Sequence, residues 1–193
     1  SEPIRQRPVK MPIKTIANNL KGLKAKHGVL AVLGNHDGWY DDEKVKNALE
    51  SVGINVLVNE ILTIEKNDAK LNVLGLEDYL KIFSRDAFRA KLNEKLDKLD
   101  NDGKLIILEH SPDIVPIVTG RNSISSRTKL FLSGHTHGGQ VWFPLLGSLI
   151  VPSEYGDRYA FGHIKENDVD VFVTTGIGTS VAPIRFMVPP EIA

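Results

Sequence analysis

KLFLSGHTHGGQ, residues 129–140, runs from an apolar strand pattern into two histidines one residue apart, then two glycines. On an extended backbone alternate side chains point to the same side, so His135 and His137 can reach one ion or two adjacent ones. Gly134, Gly138 and Gly139 permit tight turns and close approach of a substrate to the backbone. Imidazole and oxygen donors suit zinc, manganese or iron. A lone pair of this kind is weak evidence, so the remaining ligands must come from elsewhere in the chain.

Two other apolar runs end in the same way. VLAVL (29–33), read as a strand buried on both faces, leads into Gly34-Asn35-His36-Asp37, and KLIIL (104–108) leads into Glu109-His110. In layered α/β folds the working residues sit just past the carboxyl ends of the strands. If the three strands lie side by side and point the same way, one rim collects four histidines, one asparagine and one or two acids. That convergence predicts a metal or catalytic rim.

The rest of the chain alternates helical and strand patterns. Ile16, Leu20 and Leu23 predict a helix over 15–26. Asp41 or Asp42 caps a second helix that carries Val45, Leu49 and Val52 and stops at Gly53. Residues 54–58, 62–65 and 70–76 read as strands. Ser84 caps a third helix with Phe88, Leu92, Leu96 and Leu99 on one stripe, and NDG (101–103) turns the chain into the next strand. Ser111-Pro112-Asp113 is a helix start, with an N-cap hydroxyl, a proline and an acid. After residue 138 the pattern is β and turn. Alternation followed by a β-rich end predicts an α/β layered fold with mixed sheets.

The 193 residues, 41% hydrophobic and 25% charged, predict one domain, with residues 1–13 irregular. Formal net charge is zero, so no basic field favours a nucleic-acid partner. Without cysteine there are neither disulfides nor thiolate metal sites. No secretory signal and no bilayer-length apolar run occurs in these residues, and the compartment stays open between bacterial cytoplasm and a membrane-associated or cell-surface place.

GNHD (34–37), the isolated His110 and GHTH (134–137) together resemble the later motifs of the calcineurin-like metallophosphoesterases. GHTHGGQ and the tail GIGTSVAPIRF (176–186) narrow the resemblance to the bacterial branch that includes UDP-diacylglucosamine hydrolases. It runs from about Leu20 to Phe186 and implies a layered α-β-β-α sandwich. It also implies that Asn35, His110 and His135 bind one metal and His137 another. His36 then contacts the phosphate or protonates the leaving oxygen, with Asp37 orienting its ring. The implied reaction is two-metal hydrolysis of a phosphomonoester, phosphodiester or pyrophosphate, with manganese, zinc or iron as the ions.

The family pattern has two earlier blocks, D-x-H and G-D-x-x-D, and neither precedes Gly34. The expectation is a chain lacking the family's N-terminal βαβ portion and the carboxylate that bridges the two ions. Such ions stand about 4 Å apart and repel unless an anion lies between them. One ion or none is therefore expected here, with impaired catalysis. Uncovered sheet edges further predict a homodimer, a domain swap or an associated N-terminal fragment. The alternative function is a non-catalytic scaffold module, a role some members of the superfamily have, among them a retromer subunit.

Several residues have plainer readings. His27 and His163 match no motif and read as surface or structural. Asp113 reads as helix-start electrostatics and Glu109 as a structural neighbour of His110, facing the other side of the strand. Asp78 is unassigned. Arg185 reads as a phosphate contact or, in preference, a structural ion pair. The apolar stretch 141–152 reads as strand and core, or as the contact for an acyl chain of a lipid-linked substrate.

Overall fold

The computed structural model describes residues 11–99, 102–120, 126–180 and 182–193. In chain order its elements are α1 (Ile13–Leu20), β1 (Val29–Ala31), α2 (Asn35–Tyr40), α3 (Asp42–Glu50) and β2 (Ile54–Val56). Then follow β3 (Glu60–Lys66), β4 (Ala69–Gly75), α4 (Arg85–Asp97), β5 (Lys104–Leu108), α5 (Val115–Thr119) and β6 (Thr128–Ser133). Short strands β7 (Trp142–Phe143) and β8 (Gly147–Ser148) precede β9 (Gly162–Glu166) and β10 (Val169–Val173).

The central sheet has the order β3-β4-β5-β6-β10-β9. β4, β5, β6 and β10 run parallel, with α4 and α5 in the crossovers, and the outer strands β3 and β9 are antiparallel. The β3–β4 hairpin turns on Asn67-Asp68, both at positive φ, the geometry that matches strand twist in a two-residue loop. Leu74, Ile107, Phe131, Val171 and Val173 are fully buried, clustered with Phe88, Leu92 and Leu96 of α4 and Val115 and Val118 of the α5 turn. The Ser84 hydroxyl accepts the Ala87 N–H and starts α4 as the sequence predicts. The result is the mixed α/β architecture expected.

Four local readings change. β1 is not in the central sheet. It pairs in parallel with β2, and Val29, Leu30, Ala31 and Val32 are only half-buried, because one edge of β1 has no strand partner among the described residues. The helix expected over 15–26 ends at Leu20, and Ala17 is its buried residue while Leu23 is exposed. Gly22 follows immediately, a residue that costs about 1 kcal/mol within a helix. Asn35-His36-Asp37, read as a polar strand end, starts the short helix α2. The stretch 141–152 is not core. β7 and β8 form a tight hairpin that leaves Leu145, Leu146, Leu149 and Ile150 exposed. Of the irregular start expected over 1–13, residues 1–10 lie outside the described residues, as does Asn101 of the NDG turn.

Phe131 sits at 0% exposure in the middle strand of the core. Phe131→Ala is expected to lower the unfolding free energy by about 3–5 kcal/mol, read as a lower urea midpoint at unchanged m-value.

Candidate metal centre

The parallel ladder between β5 and β6 continues past the strand ends and sets the spacing of the rim. Glu109 N–H donates to the Leu132 carbonyl, and the His110 carbonyl accepts from Gly134 N–H (3.0 Å) and the Ser133 hydroxyl (2.9 Å). These bonds hold His110 and His135 on adjacent chains. β1 enters from its own small sheet and delivers Asn35 to the same point. His110 Nε2 lies 3.1 Å from Asn35 Oδ1 and 3.1 Å from His135 Nδ1. Burial and the charges of His135, His137 and His36 push the His110 pKa down to about 3. His135 and His137 also fall below the usual imidazole range, first through burial. Asp113 and Asp78 oppose the fall at His135, and the Arg185 charge adds to it at His137. At neutral pH the three rings are uncharged, the form that binds cations.

The donors fit an ion. His110 Nε2 faces both the Asn35 amide oxygen and the His135 Nδ1 and can offer at most one hydrogen between them. A cation in place of the hydrogen satisfies all three. Two donors about 2.1 Å from an ion, at right angles, stand about 3.0 Å apart. Among the described residues no three His, Asp or Glu side chains are placed to hold an ion. The trio depends on the Asn35 amide.

The other predicted residues sit around this point. His36 is exposed on α2 with its ring 4.6 Å from that of Trp39. Asp37 Oδ2 accepts the Gly34 N–H at 2.8 Å, so its carboxylate closes the turn that carries Asn35. A Cβ on Gly178 would stand 3.9 Å from the His137 ring, so the two are neighbours. Arg185 lies near His137 but directs its guanidinium at the carbonyls of Thr175, Gly176, Gly178, Val188 and Pro189. Among the described residues its partners are these carbonyls, in place of the carboxylate of the expected ion pair. The Asp41 side chain caps α3, Asp42 pairs with Lys81, and His163 pairs with Asp170 at the surface.

Asp78, left unassigned by the sequence, lies at the same end of the sheet. It is 5% exposed, burial raises its pKa, and its Oδ1 accepts the Leu80 N–H. The signal was present in the sequence: β4 is the parallel neighbour of β5 and also ends in acids, Glu77-Asp78. Glu109 points below the rim. Its Oε1 accepts the Tyr79 N–H at 2.8 Å, its other oxygen has no hydrogen-bond partner among the described residues, and burial first holds its pKa well above the carboxylate range.

No family model matches the chain. The uncharacterized metallophosphoesterase YkuE of Bacillus subtilis is 32% identical over 175 residues, 90% of this chain and 57% of that protein. A Helicobacter pylori metallophosphoesterase is 31% identical over 94% of this chain and 45% of its own length. The phosphodiesterase YaeI of Escherichia coli is 29% identical over 84% and 55%. Among solved structures, the Thermus thermophilus sulfate thiohydrolase SoxB shares the fold at TM-score 0.51 and 13% identity, over 83% of this chain and 29% of that one. In sequence the chain is similar to curated metallophosphoesterases, and in fold to SoxB. It spans about half the length of the curated relatives named here.

Two outcomes follow. A Cβ on Gly34 would stand 2.7 Å from three atoms of the His110 ring. Gly34→Ala is expected to displace that ring and destabilise by about 1–3 kcal/mol, measured by urea unfolding. The second outcome concerns acid. A His110 pKa lowered from 6.5 to about 3 means the unfolded chain binds the extra proton between those values. Stability from this ring is full above pH 6.5 and is lost as pH falls toward 3, at about 1.4 kcal/mol per pKa unit. Thermal melts of the metal-free protein from pH 7 to 4 should show this drop, and His110→Gln should flatten it.

Proposed function

We propose that this chain carries a divalent-ion site that hydrolyses phosphate esters, with Asn35, His110 and His135 as ligands. The observation that carries the reading is His110 Nε2 lying 3.1 Å from both Asn35 Oδ1 and His135 Nδ1, on largely buried side chains. Manganese, zinc and iron match the mixed nitrogen and oxygen donors. The names of the relatives, metallophosphoesterases and a phosphodiesterase, support the same class of reaction. When bound, the ion polarises the phosphoryl oxygens as a Lewis acid.

The chain's own residues supply the rest. His36, exposed beside the trio, gives a proton to the leaving oxygen or steadies the phosphate. Asp37 acts through the Gly34 N–H, holding the turn that presents Asn35. His137, outside the trio, offers one nitrogen toward a second ion. One imidazole alone does not retain an ion, so one equivalent binds to the isolated chain, and its turnover is low.

The β7–β8 hairpin favours a lipid-linked phosphate as substrate. Leu145 and Leu146 are 104% and 72% exposed at its tip. The hairpin abuts the histidine loop, where the Ser148 hydroxyl donates to the Gly138 carbonyl at 2.9 Å. A compact exposed apolar tip beside a polar site suits a substrate with an acyl tail.

Calorimetric titration with Mn2+ or Zn2+ should give close to one equivalent, and His135→Ala or Asn35→Ala should weaken it by roughly a hundredfold. Two tightly bound equivalents would overturn the one-ion reading. His36→Ala should keep the ion and lower kcat by about 10²–10⁴ on esters with poor leaving groups, less on aryl esters. The double variant Leu145→Ser/Leu146→Ser should lose activity on acylated substrates selectively. An equal loss on short-chain esters refutes the lipid contact.

A further inference from the structure

We propose that Lys81 is a positioning residue whose ion pair with Asp42 forms a strut beneath α2 and so holds Asn35 against His110. The proposal rests on the reading of Asn35 as a ligand. The trio joins two packed units. Asn35 follows closely on Leu33, which forms a small core with Val45 and Val56. His110 and His135 follow strands packed in the larger core of the central sheet. The 3.1 Å between Asn35 Oδ1 and His110 Nε2 therefore depends on what fixes one unit against the other. Asn59 and Glu77, whose side chains meet at 2.7 Å, anchor the connecting chain. Lys81 reaches α2 itself.

Lys81 is tied to the strand that leads into His110. The Glu109 carboxylate accepts the Tyr79 N–H at 2.8 Å, and the Lys81 N–H donates to the Asp78 carbonyl at 2.9 Å, which closes the single turn Tyr79–Lys81. From this turn the ammonium crosses to Asp42, the first residue of α3, and donates to its Oδ2. Gly38 of α2 rests on the pair. A Cβ there would stand 3.1 Å from Asp42 Oδ1 and 3.3 Å from Lys81 Cε, so the α2 backbone packs directly on the two side chains. A helix of six residues does not hold itself in water, and its place is set by what it rests on. Lys81 and Asp42 also line a cavity of about 80 Å³ beside Leu33, Val58 and Leu76, so apolar packing between the units is incomplete there and the pair spans the gap. Their side chains keep 39% and 32% exposure, and pairs exposed to this degree add little to overall stability. The strut thus acts on the position of α2 more than on folding.

The test uses the 193-residue chain and two measurements: amide hydrogen exchange without metal, and calorimetric titration with Zn2+. Lys81→Met should speed exchange of the α2 amides of Asp37 and Gly38 by about tenfold and leave the β5 and β6 amides unchanged. It should weaken Zn2+ binding by about tenfold, and Lys81→Arg should restore both. In an Asn35→Ala background Lys81→Met should cost no further Zn2+ affinity, because it acts through Asn35. A folded Lys81→Met protein with unchanged α2 exchange would overturn the proposal. So would exchange that rises equally in β5 and β6, or a full further loss of Zn2+ affinity in the Asn35→Ala background. If Lys81→Met does not fold, Asp42→Asn is read by the same measurements and decides. If the wild type binds no Zn2+, the ligand reading falls, and metal-free exchange still decides whether Lys81 positions α2.

Discussion

His110 Nε2 faces an amide oxygen and an imidazole nitrogen, each at 3.1 Å, with at most one hydrogen to share between them. Several independent features of the fold maintain this shortage. Burial keeps the ring neutral, so it cannot gain a second proton to ease the contact. The missing side chain of Gly34 lets the Asn35 turn close on the ring, and Asp37 ties that turn shut. The extended β5–β6 ladder fixes His110 and His135 through their backbones, so neither can swing away as a unit. A site with one hydrogen too few is a site with room for a cation, which is why the donor set, more than any single residue, carries the functional reading.

Beneath the neutral donors lies a layer of carboxyl groups. Strand alternation sends His110 to the rim and Glu109 to the interior, and the same sheet end brings Asp78 and Asp113 beside them. Asp78, Glu109 and Asp113 are all at or below 5% exposure. Asp113 has both oxygens occupied by donors, while burial raises Asp78 and Glu109. Burial favours the uncharged forms of Asp78 and Glu109, so this layer presents hydrogen-bonding groups beneath the histidines more than a block of negative charge.

The elements that the sequence made legible share a feature: their local signal and their tertiary role agree. Ser84 capping α4, Asp41 capping α3, and the apolar runs of β4, β5 and β6 each follow from side chains within a few positions. The convergence of Asn35, His110 and His135 was also legible, because three strands ended in ligand-type residues. What stayed hidden depended on long-range partners. Asp78 lacked a histidine beside it, and its meaning came only from the register of β4 against β5. Arg185 looked like a charge in search of an anion, yet five carbonyls from two short segments surround it. The Leu145–Ile150 run looked like core by composition, and a three-residue turn between two-residue strands left it no depth to enter.

The histidine loop shows what the arrangement demands of the rest of the chain. His135, His137 and Gln140 all hold positive φ, at 67°, 52° and 59°, in a region that costs an L-residue about 1–2 kcal/mol. Gly139, at 74°, has no space for a Cβ, which would stand 2.7 Å from the Ser148 side chain. Opposing bonds hold the loop in this shape. The fully buried Thr136 donates its hydroxyl to the Ala160 carbonyl at 2.6 Å. Gln140 donates to the Ala182 and Ile184 carbonyls and accepts the Ser180 N–H, binding the loop to the tail that ends in Phe186. Arg185 then ties that tail to the Thr175–Gly178 turn, which in turn touches His137. The two strings GHTHGGQ and GIGTSVAPIRF are thus one mechanical unit. The tail braces a strained loop whose strained residues include His135 and His137. Relaxing any brace would let His135 return to ordinary backbone angles and pull its ring from the point it shares with His110 and Asn35.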